Sequence, residues 1–185
     1  MTSPARRMEL VCPAGTPAAL RVAVDAGADA VYCGFRDATN ARNFAGLNFD
    51  RSKLSEGLRY AHGRGAQVLV AINTYAQCGR VQEWHRAIDA AADLGVDALI
   101  VADVALMAYA SARHPQLRLH LSVQGSATNY EAINFCQREF GVRRAVLPRV
   151  LTLAQVQRVI ENTSVEIEVF GFGSLCVMNE GRCWL

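Results

Sequence analysis

Cys176 and Cys183 stand seven residues apart around Gly181-Arg182, after an apolar run and the loop Phe170-Gly-Phe-Gly-Ser174. Thiolates at such spacing are metal ligands when they can be deprotonated and face one point. Two cysteines do not complete the four-cysteine shell of an iron–sulfur cluster, nor a closed structural zinc site. Three readings stay open: the other ligands lie on another segment, the chain is part of a longer protein, or the pair is not a metal site.

A second group of chemistry-bearing residues follows short apolar runs. The segment 36–49 is rich in Asn, Arg and aromatics and is long for a connection between elements. Such loops are often binding segments. Asn40 and Arg42 from this loop, with Asn73, Gln124 and Arg149 after later runs, are the candidate ligand contacts. Arginine forks suit carboxylates. The alternative for the loop is a solvated segment folded on its own side chains. The run 117–123 alternates. Leu117, Leu119, Leu121 and Val123 share one face, while Arg118, His120, Ser122 and Gln124 share the other. His120 and Ser122 are equally well read as ligand contacts or as parts of a hydrogen-bonded structural network.

The remaining cysteines have plainer readings. Cys78 and Cys136 read as small hydrophobes. Cys12 and Cys33 end adjacent apolar runs and read as buried thiols, with metal binding the alternative. The chain lacks a glycine-rich nucleotide fingerprint, a phosphate loop, a Gly-x-Ser-x-Gly elbow and a His-Glu-x-x-His pair.

The elements that must position these residues show in the hydrophobic pattern. Candidate strands cover 9–12, 30–33, 67–72, 98–101, 117–123, 144–147 and 165–170. Candidate helices between them include 17–26, 54–62, 81–94, 127–140 and 153–160. The joints repeat one layout. Gly27, Gly65, Gly95 and Gly141 each end a helix, and a small apolar residue and then a buried strand follow. Alternating strands and helices imply a parallel sheet covered on both faces. Seven such units predict a (β/α) TIM-type barrel with its strands parallel and in sequence order. A complete barrel needs roughly 250 residues. The expectation is therefore an incomplete barrel of about seven units, with 1–185 the N-terminal barrel portion of a longer protein and no internal boundary. The site belongs at the C-terminal ends of the strands, where Asn40, Arg42, Asn73, Gln124 and Arg149 should gather at the same end as Cys176.

Composition fits this. Apolar residues make up 51% and charged residues 19%, a globular balance. The net charge of +2 gives no basic stripe for nucleic acid. No apolar run reaches the roughly 18 residues of a membrane span, and the N-terminus lacks the apolar core of a secretory signal. A cytoplasmic location is expected, where six cysteines are thiols or metal ligands rather than disulfides.

Several segments resemble the collagenase-like "unclassified peptidase" family. They are Glu9-Leu-Val-Cys-Pro-Ala-Gly15, Gly27-Ala-Asp-Ala-Val-Tyr32, His120-Leu-Ser-Val-Gln124, Val146-Leu-Pro-Arg149, and Gly173-Ser-Leu-Cys176 through Gly181-Arg-Cys183. The resemblance implies a [4Fe–4S] cluster on a barrel, with Cys176 and Cys183 as two of four ligands and two more beyond Leu185. Cys12 and Cys33 should then be dispensable for the cluster. Segments 39–49 and 172–183 are similar to the branch linked to oxygen-independent ring hydroxylation in ubiquinone synthesis. That branch implies a ubiquinone precursor as substrate and a paralogous subunit as heterodimer partner. Related members hydroxylate RNA bases and take oxygen from prephenate, which would give Arg42 or Arg149 a carboxylate to hold. An RNA-base hydroxylase and a non-catalytic iron–sulfur scaffold or electron-transfer subunit are the alternatives. No protease constellation accompanies the family label.

Overall fold

The computed structural model describes residues 8–173, 178–179 and 182–183. Seven strands form one sheet in sequence order: β1 (Val11–Pro13), β2 (Ala30–Gly34), β3 (Gln67–Ile72), β4 (Ala98–Val101), β5 (Arg118–Leu121), β6 (Arg144–Val146) and β7 (Glu166–Glu168). Every neighbouring pair is parallel. The helices between them are α1 (Pro17–Asp25), α2 (Arg51–His62), α3 (Val81–Leu94), α4 (Val104–Arg113), α5 (Tyr130–Phe140) and α6 (Leu153–Glu161). A short antiparallel hairpin follows, β8 (Met178–Asn179) with β9 (Arg182–Cys183). The incomplete barrel expected from the pattern is the observed fold.

The four repeated glycines all take positive φ, from 72° at Gly141 to 94° at Gly27. A side chain there would be strained, so the recurring glycine is what turns each helix back into the sheet. Starts are capped by side chains. Thr16, Asp50, Asp103, Asn129 and Thr152 each accept a backbone N–H of the helix they precede.

Alternation along the strands separates two cores. Val31, Cys33, Val68, Val70, Ile72, Leu99, Val101, Leu119, Leu121 and Ala145 face the helices in the larger cluster. Ala30, Leu69, Ala71, Ala98 and Ile100, with Val11 and Tyr32, pack against each other on the inner face. The sheet is curled. A flat sheet would hold β1 and β6 roughly 24 Å apart at about 4.8 Å per strand. Yet Glu9, just before β1, is ion-paired with Arg144 of β6.

The fifth strand is shorter than its alternating sequence suggests. It ends at Leu121, and Val123–Gly125 form a 3₁₀ turn because the Ser122 hydroxyl accepts Gln124 N–H at 3.2 Å. Helix α4, absent from the clear helical stretches of the sequence, is started by Asp103, whose carboxylate accepts Ala105 N–H at 2.8 Å.

Candidate functional site

All five candidate contacts follow the C-terminal end of a strand, and parallel pairing puts those ends together. Asn40 and Arg42 come from the β2–α2 loop, Asn73 follows β3, Gln124 follows β5 and Arg149 follows β6. Cross-links tie these loops into one mouth. Asn73 Oδ1 accepts Ala41 N–H at 3.0 Å. Tyr75 donates its hydroxyl to the Gln124 carbonyl at 2.9 Å. The Thr74 hydroxyl donates to Ala38 O at 2.7 Å and accepts the indole N–H of buried Trp84 at 2.9 Å.

Within the mouth the candidates divide. The asparagines hold the loop itself. Asn40 donates to Asn48 Oδ1 at 2.9 Å and accepts Arg42 N–H at 3.0 Å. Asn48, in the left-handed region at φ 72°, donates to Arg42 O at 2.8 Å. Asn40 lies directly over Gly34, where an added Cβ would come within 2.2 Å of its amide nitrogen. Buried amides must be paired, and here the pairing makes a rigid loop. Gln124 is buried in the 3₁₀ turn.

The arginines behave differently. Arg42 and Arg149 both act electrostatically on the Tyr32 phenol. Burial raises the Tyr32 pKa most, the Arg42 charge pulls it down, Glu168 raises it, and Arg149 lowers it. Arg149 stacks on Phe170, its guanidinium carbon 3.5 Å from the ring centroid. Tyr32 and Glu168 therefore join the site, and neither is among the contacts expected from sequence. The strand alternation carried the signal, since both face inward.

Below the mouth lies a polar network. Glu166 accepts from Arg118 at 2.5 Å and from Arg144 at 2.8 Å. Arg144 also pairs with Glu9, and more loosely with Glu168 at 3.5 Å. The guanidinium pairs hold the Glu166 pKa below its ordinary value although burial opposes them. Glu168 is raised, by burial, against the Arg144 charge. His120 is 2% exposed. Its Nε2 accepts from Arg118 Nε at 3.0 Å, and Nδ1 has no partner. Burial, then the Arg144 and Arg118 charges, press its pKa down to about 3, so the ring is neutral.

The cysteines sort by burial. Cys33 is buried against the helices and its thiol is pushed up to about 12. A thiol held protonated is a poor metal ligand. Cys136 is buried with its pKa raised, and Cys12 packs against the same core. Cys78, read from sequence as a small hydrophobe, is instead exposed on the β3–α3 connection, which runs over the surface. Among the described residues no group of three or more His, Cys, Asp or Glu could hold a metal ion. Cys183 lies in β9 opposite Met178, and Cys176 lies outside the described residues. Whether Arg149 and Cys176 share one end of the barrel therefore also falls outside them.

Comparison with known proteins places this arrangement. The model of peptidase family U32 matches residues 15–185. An uncharacterized protease of Methanocaldococcus jannaschii is 37% identical over 183 residues, 96% of this chain and 44% of that protein. The tRNA hydroxylation protein P of Escherichia coli is 34% identical over 179 residues, 96% of this chain and 39% of that protein. The 23S rRNA 5-hydroxycytidine synthase of Escherichia coli is 34% identical over 188 residues, all of this chain and 27% of that protein. The chain thus spans less than half the length of these relatives. Among solved structures, a U32 peptidase superposes with a TM-score of 0.69 at 16% identity, covering 91% of this chain and 71% of that one. A dihydrodipicolinate synthase of Agrobacterium tumefaciens gives 0.59 at 17%, covering 87% and 63%. At such identities these structures speak for the barrel fold alone. Matched over nearly its whole length, the chain belongs to peptidase family U32.

Proposed function

We propose that this chain is the barrel portion of an iron–sulfur subunit of an oxygen-independent hydroxylase, of the branch represented by the ubiquinone-biosynthesis protein UbiU. The reaction is ring hydroxylation of a ubiquinone precursor, carried out with a paralogous partner subunit, UbiV. Support for hydroxylation comes from relatives named for it at 34% identity. Support for substrate binding at the mouth comes from one observation: the charges of Arg42 and Arg149 both act on the half-buried Tyr32 phenol. Two guanidinium charges at one mouth suit a carboxylated ligand such as prephenate, the oxygen donor in this reading.

Each group has a role. Arg149, braced on Phe170, and Arg42, on the asparagine-locked loop, bind and orient carboxylates. Tyr32 offers a phenolic proton that burial keeps in place. The apolar inner face beside it excludes water. A [4Fe–4S] cluster, held by Cys176, Cys183 and two further cysteines, would supply one-electron chemistry. Protonated, helix-facing Cys33 is unsuited to join that set. Anaerobic reconstitution of the full-length protein tests this: Cys176→Ala or Cys183→Ala should lose cluster iron and visible absorbance, while Cys12→Ala and Cys33→Ala retain both. Full iron content in Cys176→Ala would reject the ligand assignment.

Hydroxylation of an RNA base is the second reading, favoured by relatives named for tRNA and rRNA. The net charge of +2 weighs against it, because RNA binding draws on a positive surface. A non-catalytic scaffold or electron-transfer subunit is the third. Anaerobic deletion and complementation with the full-length gene decides, with quinone intermediates and modified nucleosides measured together. Blocked quinone synthesis with intact nucleosides supports the quinone reading. A lost nucleoside with normal quinone replaces it with the RNA reading. Full rescue of the lost product by Arg42→Met/Arg149→Met points to the scaffold.

A further inference from the structure

His120 is buried on the inner face of β5 and has one nitrogen in use. Arg118 Nε–H is a donor only, so His120 Nε2 must accept. The ring is neutral, and its proton therefore sits on Nδ1. Among the described residues, Nδ1 is the one buried side-chain nitrogen or oxygen without a partner. A buried donor left unpaired is costly, and native structures rarely tolerate one without a use. The protonated nitrogen cannot ligate a metal, and a ring this hard to charge is no base near neutral pH. What it can do is donate one hydrogen bond.

Its surroundings say to what. The register row through His120 reads Gly34, Ala71, Ile100, His120, Arg144 and Glu166. Asn40 covers Gly34, Ala71 fills little of the interior at this level, and Ile100 beside His120 is apolar. Carboxylates in the row are already claimed, because Glu166 is shared by Arg118 and Arg144. The row lies one step below Val146 and Glu168, toward the base from the mouth.

We propose that His120 is a ligand-binding residue whose Nδ1–H donates to a neutral oxygen, a hydroxyl or carbonyl, on a small ring-bearing molecule seated against Ile100 and Ala71. The inference rests on reading the mouth as the substrate site. In that site the arginines take the charged end of a ligand, and His120 selects an uncharged oxygen deeper in.

The test uses full-length protein with nitrogen-labelled histidine and three probes: phenol, benzoate and para-hydroxybenzoate. Phenol and para-hydroxybenzoate should shift the Nδ1–H resonance, and benzoate should not. His120→Asn keeps an amide N–H near the Nδ1 position and should bind para-hydroxybenzoate within about threefold of the wild type. His120→Gln moves the amide toward Nε2 and should bind it about tenfold more weakly, with benzoate unaffected. A resonance indifferent to both hydroxyl probes means that water or a protein group already holds the donor, and overturns the proposal. Equal losses for benzoate and para-hydroxybenzoate in His120→Gln would make the ring structural and overturn it as well. Failure of the mouth reading looks different. Para-hydroxybenzoate would then bind no better than phenol, and Arg42→Met and Arg149→Met would change nothing, while phenol still moved the His120 resonance.

Discussion

The inner faces of β1–β4 and of β5–β7 share one parallel register and carry opposite chemistry. The first half packs Val11, Ala30, Tyr32, Leu69, Ala71, Ala98 and Ile100. The second presents Arg118, His120, Arg144, Glu166 and Glu168, and draws in Glu9 from ahead of β1. The apolar half is held by shape and the exclusion of water, forces nearly indifferent to pH. The charged half is held by two arginines among three glutamates, so its strength depends on every proton in the group. The pairing matters less for net stability than for what happens when one member is removed, because a buried charge without its partner is severely penalised. The polar half is also where the curled sheet links its first strand to its sixth, and where the unpaired His120 nitrogen lies.

The sharpest way to break this contrast is Arg144→Met. It leaves Glu9 and Glu168 without their guanidinium and Glu166 with Arg118 alone, and, discounted for the half-exposed carboxylates, should cost about 2–4 kcal/mol in urea unfolding of the full-length protein. Adding Glu166→Gln should recover part of that loss. A single-mutant cost under about 1 kcal/mol would mean the network carries little. In the other half, Leu69→Ala empties a fully buried site and should cost about 2–5 kcal/mol. That cost should not change between pH 8 and pH 5, whereas the Arg144 cost should.

Acid should separate the halves without any cavity. His120 has its folded pKa pressed down to about 3 from an ordinary value near 6.5. Between those values the unfolded chain binds the extra proton, so stability rises with pH through the window. The contribution is complete above about pH 6.5 and is lost as pH falls toward 3, roughly 3 kcal/mol of it by pH 4. His120→Asn removes it. The difference between wild-type and variant stabilities, measured from pH 8 to pH 4, should shrink or reverse on the acid side. A constant difference would show that His120 does not titrate in this way. The smallest expected effect is at the mouth. Gly34→Ala drives a methyl into Asn40 and should cost about 1–3 kcal/mol. Gly34→Ala/Asn40→Ala should cost less than the sum of the two singles, which a double-mutant cycle measures.

Much of the fold was legible because it rests on local signals. Periodicity placed the strands, and β3, β4 and α3 fall on the expected residues. Glycine at a left-handed cap is a single-residue requirement, visible without a structure. Helix α4 was harder to see, because Asp103 caps it only two residues after β4 and its apolar residues are spread around it. The site was half legible. Position after a strand brought Asn40, Arg42, Asn73, Gln124 and Arg149 to one mouth. Sequence alone left open whether Asn40 would face a ligand or the loop. That turned on Gly34 and Asn48, whose distances to Asn40 exist only in the folded chain.

Local patterns along the chain set the alternation of strand and helix, the parallel order and the face each strand residue takes. These depend on periods of two and 3.6 residues and on the backbone freedom of glycine, all set within a few positions. Which inward residues meet is a matter of folding in space. Glu9 and Arg144 are 135 residues apart. No local rule pairs them; curling of the sheet brings their strands together, and burial then makes the pairing obligatory. The same curvature brought Tyr32 within the electrostatic reach of Arg42, Arg149 and Glu168 and left His120 with an unused donor. Charge and hydrogen-bond partnership depend on distance through space, and the chain fixes that distance only by folding.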